Sequence, residues 1–68
     1  MFRNLDAEQA RIGVLNKDAA DYLGISRVSY ENKKKTKKFN IIEAKKLCKL
    51  FGCQFEYLFE TDDDAKGD

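Results

Sequence analysis

Cationic side chains are concentrated in the middle of this chain. Residues 27–49 carry 9 Lys and Arg against 2 Asp and Glu, whereas residues 1–26 carry 3 against 4 and residues 50–68 carry 1 against 6. Five lysines lie within positions 33–38, so this stretch can bind phosphates or another polyanion. A lysine run is also typical of a solvated surface, and the choice between the two depends on the element that precedes it.

The residues just before the lysine run have the pattern of a helix-turn-helix. Ala20 is followed four places later by Gly24, and apolar residues follow the glycine, which lets two helices cross closely. Ser26 is suited to cap a helix that begins at Arg27. The second helix of this motif commonly lies in the major groove of duplex DNA, with its N-terminal side chains on base edges. A DNA-binding surface is therefore favoured over a solvated charge run.

Apolar spacing and capping residues predict an all-α domain, beginning with three helices. Asn4 is the expected N-cap of the first helix, which ends at Gly13. The second is expected at 16–23 and ends at Gly24. The third is expected from 27 to about 34, because the like charges in the second half of the lysine run favour a loop.

Two further helices are predicted in the second half of the chain. Asn40 and Glu43 have the spacing of a capping box, so they mark the start of the fourth helix, and Gly52 marks its end. A short fifth helix is expected at about 54–60. These boundaries give a domain of five helices.

The predicted core positions recur at helical spacing. They are Phe2, Leu5, Ile12, Ala19 or Ala20, Leu23, Tyr30, Ile41, Ala44, Leu47, Cys48, Phe51, Phe55 and Leu58. Tyr57 and Phe59 have no evident place in this core. We expect them either at its partly buried rim or in a self-association surface.

The chain's domain limits, cysteines and apolar segments restrict the class of protein. Residues 1–60 are expected to form one domain, and 61–68 an acidic, disordered tail. Cys48 and Cys53 lack CxxC spacing and the chain has no histidine, so free, packed thiols are expected and no metal site. No apolar segment has the length of a membrane span or signal peptide, and a cytoplasmic protein is therefore expected.

From about Asn4 to Phe59 the sequence resembles the Cro/repressor family of helix-turn-helix proteins, also called the xenobiotic-response-element family. The matching segments are Gly13-Val14, Ala20 with Gly24-Ile25-Ser26-Arg27, residues 47–52 and residues 55–59. The spacing of Tyr30, Lys33, Lys37 and Phe39 resembles a subgroup encoded by phages and prophages of Gram-positive bacteria. The resemblance implies a five-helix lambda-repressor-like DNA-binding domain, with helices 2 and 3 as the helix-turn-helix.

The resemblance also implies which residues contact DNA. Base-edge contacts are implied for Arg27, Val28, Ser29 and Asn32. Phosphate contacts are implied for Asn16, Lys17, Lys33, Lys35, Lys37 and Lys38. These residue types suit the task, because Arg can donate to O6 and N7 of guanine together, Val can meet a thymine methyl and Asn can pair with adenine.

These features predict a sequence-specific double-stranded DNA-binding transcription regulator, a repressor or Cro-like protein whose partner is operator DNA. One recognition helix covers few base pairs, so a homodimer on two half-sites is expected, with Tyr57 and Phe59 in its interface. Neither a cofactor nor a small-molecule ligand nor a membrane is expected as a partner.

Two other classes of protein are the alternatives to a transcription regulator. An enzyme is disfavoured, because the chain has no histidine to act as a base and no phosphate-cradling glycine loop, and its only carboxylate cluster is Asp62 to Asp64 in the tail. The competing hypothesis is a protein-interaction module on the same fold, an antitoxin or an anti-repressor.

Overall fold

The computed structural model describes residues 2–61 of the chain, and all regular structure within them is helical. The five helices are α1 (Arg3–Ile12), α2 (Asn16–Leu23), α3 (Arg27–Thr36), α4 (Ile41–Phe51) and α5 (Phe55–Leu58). α2 packs against α3 and α4, and α5 packs against α1 and α4. The all-α class and the number of helices predicted from the sequence are confirmed.

The predicted limits of α2 and the start of α3 are confirmed by local hydrogen bonds. Gly24 follows α2 with a φ of 76°, a left-handed conformation that glycine adopts without steric cost. The Ser26 hydroxyl oxygen accepts a hydrogen bond from the Ser29 backbone N–H at 3.0 Å, which satisfies one of the free donors at the start of α3. Arg27 is therefore the first residue of α3.

The capping box of α4 is also confirmed. The Asn40 side-chain oxygen accepts from the Glu43 backbone N–H at 2.7 Å, and the Glu43 carboxylate accepts from the Asn40 backbone N–H at 3.0 Å. The two residues satisfy each other's donors, so the start of α4 is well defined.

The expected N-cap of α1 is wrong. α1 begins one residue before Asn4, after Phe2, whose ring is buried in the core. The Asn4 amide instead donates to the Tyr57 carbonyl oxygen at 2.8 Å and links α1 to α5. This long-range acceptor explains why Asn4 does not cap its own helix.

The expected loop in the second half of the lysine run is partly wrong, because α3 continues to Thr36 and Lys37 ends it with a φ of 60°. Repulsion among the lysines is reduced by acidic residues on other helices. Lys33 Nζ lies 3.4 Å from a Glu43 carboxylate oxygen, and Lys34 forms an ion pair with Asp6. These partners allow α3 to extend two residues beyond its expected end.

The core is formed by one cluster of apolar side chains from all five helices. Leu5, Tyr30, Leu47 and Leu58 are its largest fully buried members. The rings of Phe2, Phe39 and Phe59 pack together beside them, with centroids 5.2–5.9 Å apart.

Three predicted core residues lie at the surface instead. Ile12, Ile41 and Phe55 are 40%, 72% and 55% exposed, whereas Phe59, which was expected outside the core, is 9% exposed. α5 has only four residues and ends before Phe59. The chain turns there, and the Phe59 ring packs edge-on against Phe2.

The folded part extends to the last described residue, because Thr61 is 5% exposed. The remaining residues of the predicted acidic tail, 62–68, lie outside the described residues. Cys48 and Cys53 are half-buried free thiols.

Candidate nucleic-acid interface

α3 has one exposed face and one buried face. At 100° per residue, Arg27, Val28, Glu31, Asn32 and Lys35 lie within an arc of about 140° around the helix. All of them are exposed except Glu31, which is half-buried. The structure thus brings three of the four predicted base-contacting residues onto one exposed face.

The opposite face of α3 packs into the domain. Tyr30 is fully buried and Lys34 is 7% exposed, one helical turn further along. Ser29, the fourth residue predicted to contact bases, is exposed but falls outside the arc of Arg27 and Asn32.

A polar network holds α3 against α1 and α2. The Tyr30 hydroxyl donates to the Gln9 side-chain oxygen at 2.6 Å, and Lys34 Nζ donates to the same oxygen at 3.2 Å. Lys34 Nζ also donates to the Asn16 side-chain oxygen at 3.0 Å and pairs with Asp6. Within residues 2–61, no buried side-chain nitrogen or oxygen atom lacks a hydrogen-bond partner.

This network continues to the exposed face of α3 through Asn16. The Asn16 side-chain oxygen accepts from Gln9 at 3.0 Å, and its amide nitrogen donates to a Glu31 carboxylate oxygen at 3.1 Å. Arg27 Nη1 donates to that same Glu31 oxygen at 2.7 Å. The side chain of Arg27 nevertheless remains 56% exposed.

The charge state of Glu31 follows from these donors. The hydrogen bond from Arg27, followed by that from Asn16, holds the pKa of Glu31 below its ordinary value of 4.5. Glu31 is therefore ionised at neutral pH, and the exposed face of α3 carries one carboxylate among its cations.

The residues predicted to contact phosphates fall into two groups. Asn16 and Lys33 already have partners inside the domain, namely Glu31, Gln9 and Lys34 for Asn16 and Glu43 for Lys33. Lys17, Lys35, Lys37 and Lys38 are exposed. Lys17 forms only a loose surface pair with Asp21 at 3.7 Å, and pairs of this kind contribute little to stability.

Lys35 and Lys38 are the most available cations near α3. Both are exposed, and neither forms an ion pair with any residue from 2 to 61. An incoming phosphate therefore meets no competing carboxylate at these two lysines within the described part of the chain.

The aromatic residues predicted for a dimer interface are separated by the fold. Tyr57 is 43% exposed, and its hydroxyl donates to a Glu8 carboxylate oxygen at 3.1 Å, whereas Phe59 is buried. Phe55, two residues earlier on α5, is also exposed. Phe55 lines an apolar surface groove of about 430 Å³ between α4 and α5; the other lining residues are Ile41, Ala44, Lys45 and Cys48.

Sequence reasoning missed Gln9 and Lys34 as parts of this site, and it missed the contacts that Glu31 makes with Arg27 and Asn16. One signal was available, because Arg27 and Glu31 are of opposite charge and four residues apart, which places them side by side on a helix. The inward direction of Lys34 has a weaker signal, its four-residue spacing from Tyr30. The role of Gln9 depends on contacts between helices.

Comparison with protein-family models, with curated proteins and with solved structures finds no match for this chain. Within residues 2–61, no three His, Cys, Asp or Glu side chains are grouped to hold a metal ion. No helix in the same range has the length and apolar character needed to cross a membrane. A function is therefore inferred from the residues and their geometry.

Proposed function

We propose that this protein is a sequence-specific double-stranded DNA-binding transcription regulator, a repressor or Cro-like protein with a lambda-repressor-like helix-turn-helix fold. α3 is its recognition helix and lies in the major groove when DNA is bound. The observation that carries the proposal is the exposed face of α3. Arg27, Val28 and Asn32 share this face, while Tyr30 and Lys34 attach the opposite face to the domain.

The exposed face carries the side chains that base recognition needs. Arg27 donates to guanine, Val28 contacts a thymine methyl group and Asn32 pairs with adenine. Each well-formed bidentate contact discriminates against a wrong base by about 1–3 kcal/mol. Ser29, beside this face, supplies an adaptable hydroxyl at its edge.

Phosphates on either side of the groove are bound by the lysines around α3. Lys35 and Lys38 contact the backbone most directly, together with Lys17 and Lys37. Asn16 and Lys33 bind phosphate only if they give up their hydrogen bonds and ion pairs inside the domain. Each phosphate neutralised releases counterions and steepens the dependence of log K on log salt by about 0.9.

The salt dependence of DNA binding tests this proposal against the protein-interaction module. We expect the wild-type protein to bind random-sequence duplex DNA with a log-log salt slope of about −2.7 to −3.6 for each bound protomer, the value for three to four phosphate contacts. Fluorescence anisotropy of a labelled duplex over a series of salt concentrations measures the slope. Weak binding without salt dependence, together with a stable complex with another protein, would favour the antitoxin or anti-repressor hypothesis.

The proposed regulator binds as a homodimer, because one recognition helix spans only a few base pairs. Phe55 and Ile41 line the apolar groove between α4 and α5, and Tyr57 lies exposed on α5. In this proposed interface Phe55 replaces Phe59, which the sequence suggested and which is buried.

Substitution of Phe55 is expected to weaken this dimer without unfolding the domain. Phe55→Ser removes a ring that is 55% exposed and whose centroid lies 5.0 Å from that of Phe59, so the sedimentation coefficient moves toward the monomer value while the free energy of unfolding falls by only about 0.5–1.5 kcal/mol. Phe59→Ser instead removes a buried ring and lowers the free energy of unfolding by about 3–5 kcal/mol. Tyr22→Ser, at a residue on α2 that is 43% exposed, is the control. An unchanged dimer fraction for Phe55→Ser would exclude this surface.

A further inference from the structure

The Arg27 guanidinium is held by a chain of contacts that begins in the core. Gln9 and Lys34 bind the Asn16 side-chain oxygen, Asn16 binds Glu31, and Glu31 binds Arg27. One oxygen atom of Glu31 accepts both the Asn16 hydrogen bond and the Arg27 hydrogen bond. Because Asn16 belongs to α2, the Glu31 carboxylate is restrained from outside its own helix.

The same contacts leave part of the guanidinium available. Arg27 uses Nη1 for Glu31, and no residue from 2 to 61 accepts a hydrogen bond from its Nε or Nη2. Nε and Nη2 form one edge of the planar fork, and two parallel donors on one edge match the O6 and N7 acceptors of guanine. An arginine restrained in this way loses less conformational freedom on binding than a free one.

We propose that Glu31 is a specificity-determining residue, a positioning residue that orients Arg27 for guanine without contacting that base. This inference rests on the proposed DNA-binding function and names the residue that sets its base preference. Glu31 also carries a negative charge on the face that meets DNA. It therefore weakens binding to every sequence by repelling phosphates, while it increases the preference for one base.

These two opposite effects give Glu31→Ala a distinct behaviour. We expect its affinity for unrelated duplexes to rise severalfold, because one repelling charge is removed. The preference for guanine over other bases at the Arg27 position is expected to fall about tenfold, within the range that one bidentate contact supplies. Glu31→Gln keeps a side-chain oxygen as acceptor, so it raises the affinity for unrelated duplexes and retains most of the preference.

The experiment measures affinities for the preferred duplex and for duplexes changed one base pair at a time. Glu56→Ala is the matched control, since Glu56 is an exposed carboxylate on α5, away from α3. In an Arg27→Ala background, Glu31→Ala is expected to cause no further loss of preference at this base pair. Thermal unfolding of each variant verifies that the domain remains folded.

Three results would overturn the inference. In the first, Glu31→Ala tightens binding to all duplexes by one common factor. In the second, Glu31→Ala removes the preference for a cytosine at a position that Arg27→Ala does not affect, as expected if Glu31 itself contacts that base. In both cases wild-type preference persists, so only the role of Glu31 fails. A wild-type protein without preference among duplexes would overturn the proposed function as well.

Discussion

Replacement of Lys34 by alanine is expected to lower the free energy of unfolding by about 2–3 kcal/mol. Hydrogen bonds from a charged group are each worth about 1.5–3 kcal/mol. Part of this loss is offset because the Asp6 carboxylate regains hydration when its partner is removed. The Lys34 side chain is 9% exposed and binds Gln9, Asn16 and Asp6. In a domain of this size the thermal midpoint falls by about 10–20 °C. Circular dichroism during heating measures it.

The adjacent lysine provides the control for this prediction. Lys35 is exposed and has no ion-pair partner among residues 2–61, so Lys35→Ala is expected to change stability by less than about 0.5 kcal/mol. Lys34→Met keeps an apolar stem, so its loss of stability is expected to lie between those of Lys34→Ala and Lys35→Ala. Equal midpoints for Lys34→Ala and Lys35→Ala would show that the polar network does not hold α3.

Replacement of Arg27 by alanine is expected to remove the preference for one base pair of the operator, by about 1–3 kcal/mol or roughly 5- to 150-fold. The affinity for unrelated duplexes falls much less, because only one charge is lost. Arg27→Lys keeps that charge but lacks the planar fork, so it is expected to lose most of the preference too. Anisotropy titrations with duplexes that differ at single base pairs measure both quantities.

Lys35→Ala is expected to act differently on DNA. A phosphate contact carries no sequence information, so this variant weakens binding to all duplexes alike and reduces the salt slope by about 0.9. If Arg27→Ala and Lys35→Ala changed the affinities for the single-base-pair duplexes in the same way, the division between base-contacting and phosphate-contacting residues would be wrong.

The parts of the fold that follow from short-range rules were predictable. The Asn40–Glu43 capping box, the Ser26 cap and the left-handed Gly24 each depend on a few neighbouring residues, and the structure confirms all three. The Ser26 cap fixes where α3 begins, and helical periodicity then places Arg27 and Asn32 on one face.

The errors arose where contacts between helices decide the outcome. α3 continues to Thr36, two residues beyond its expected end, because Glu43 and Asp6, on α4 and α1, reduce the repulsion by pairing with Lys33 and Lys34. Phe55 and Phe59 exchange their expected environments because α5 ends after four residues.

The candidate site shows the same division. The exposure of Arg27 and Asn32 follows from helical periodicity, but the internal partners of Asn16 do not. Asn16 was predicted to bind phosphate through a free amide, and the structure places that amide between Glu31, Gln9 and Lys34. No sequence rule gives the distance between Asn16 and Glu31, which belong to different helices.

Selection of bound duplexes from a random-sequence library tests the central claim most directly, namely that the exposed face of α3 contacts base edges. For the wild-type protein we expect an enriched sequence with two half-sites related by twofold symmetry and about one helical turn apart, with a guanine that is lost when Arg27→Ala is used. A library that remains random after selection with the wild-type protein would contradict the account.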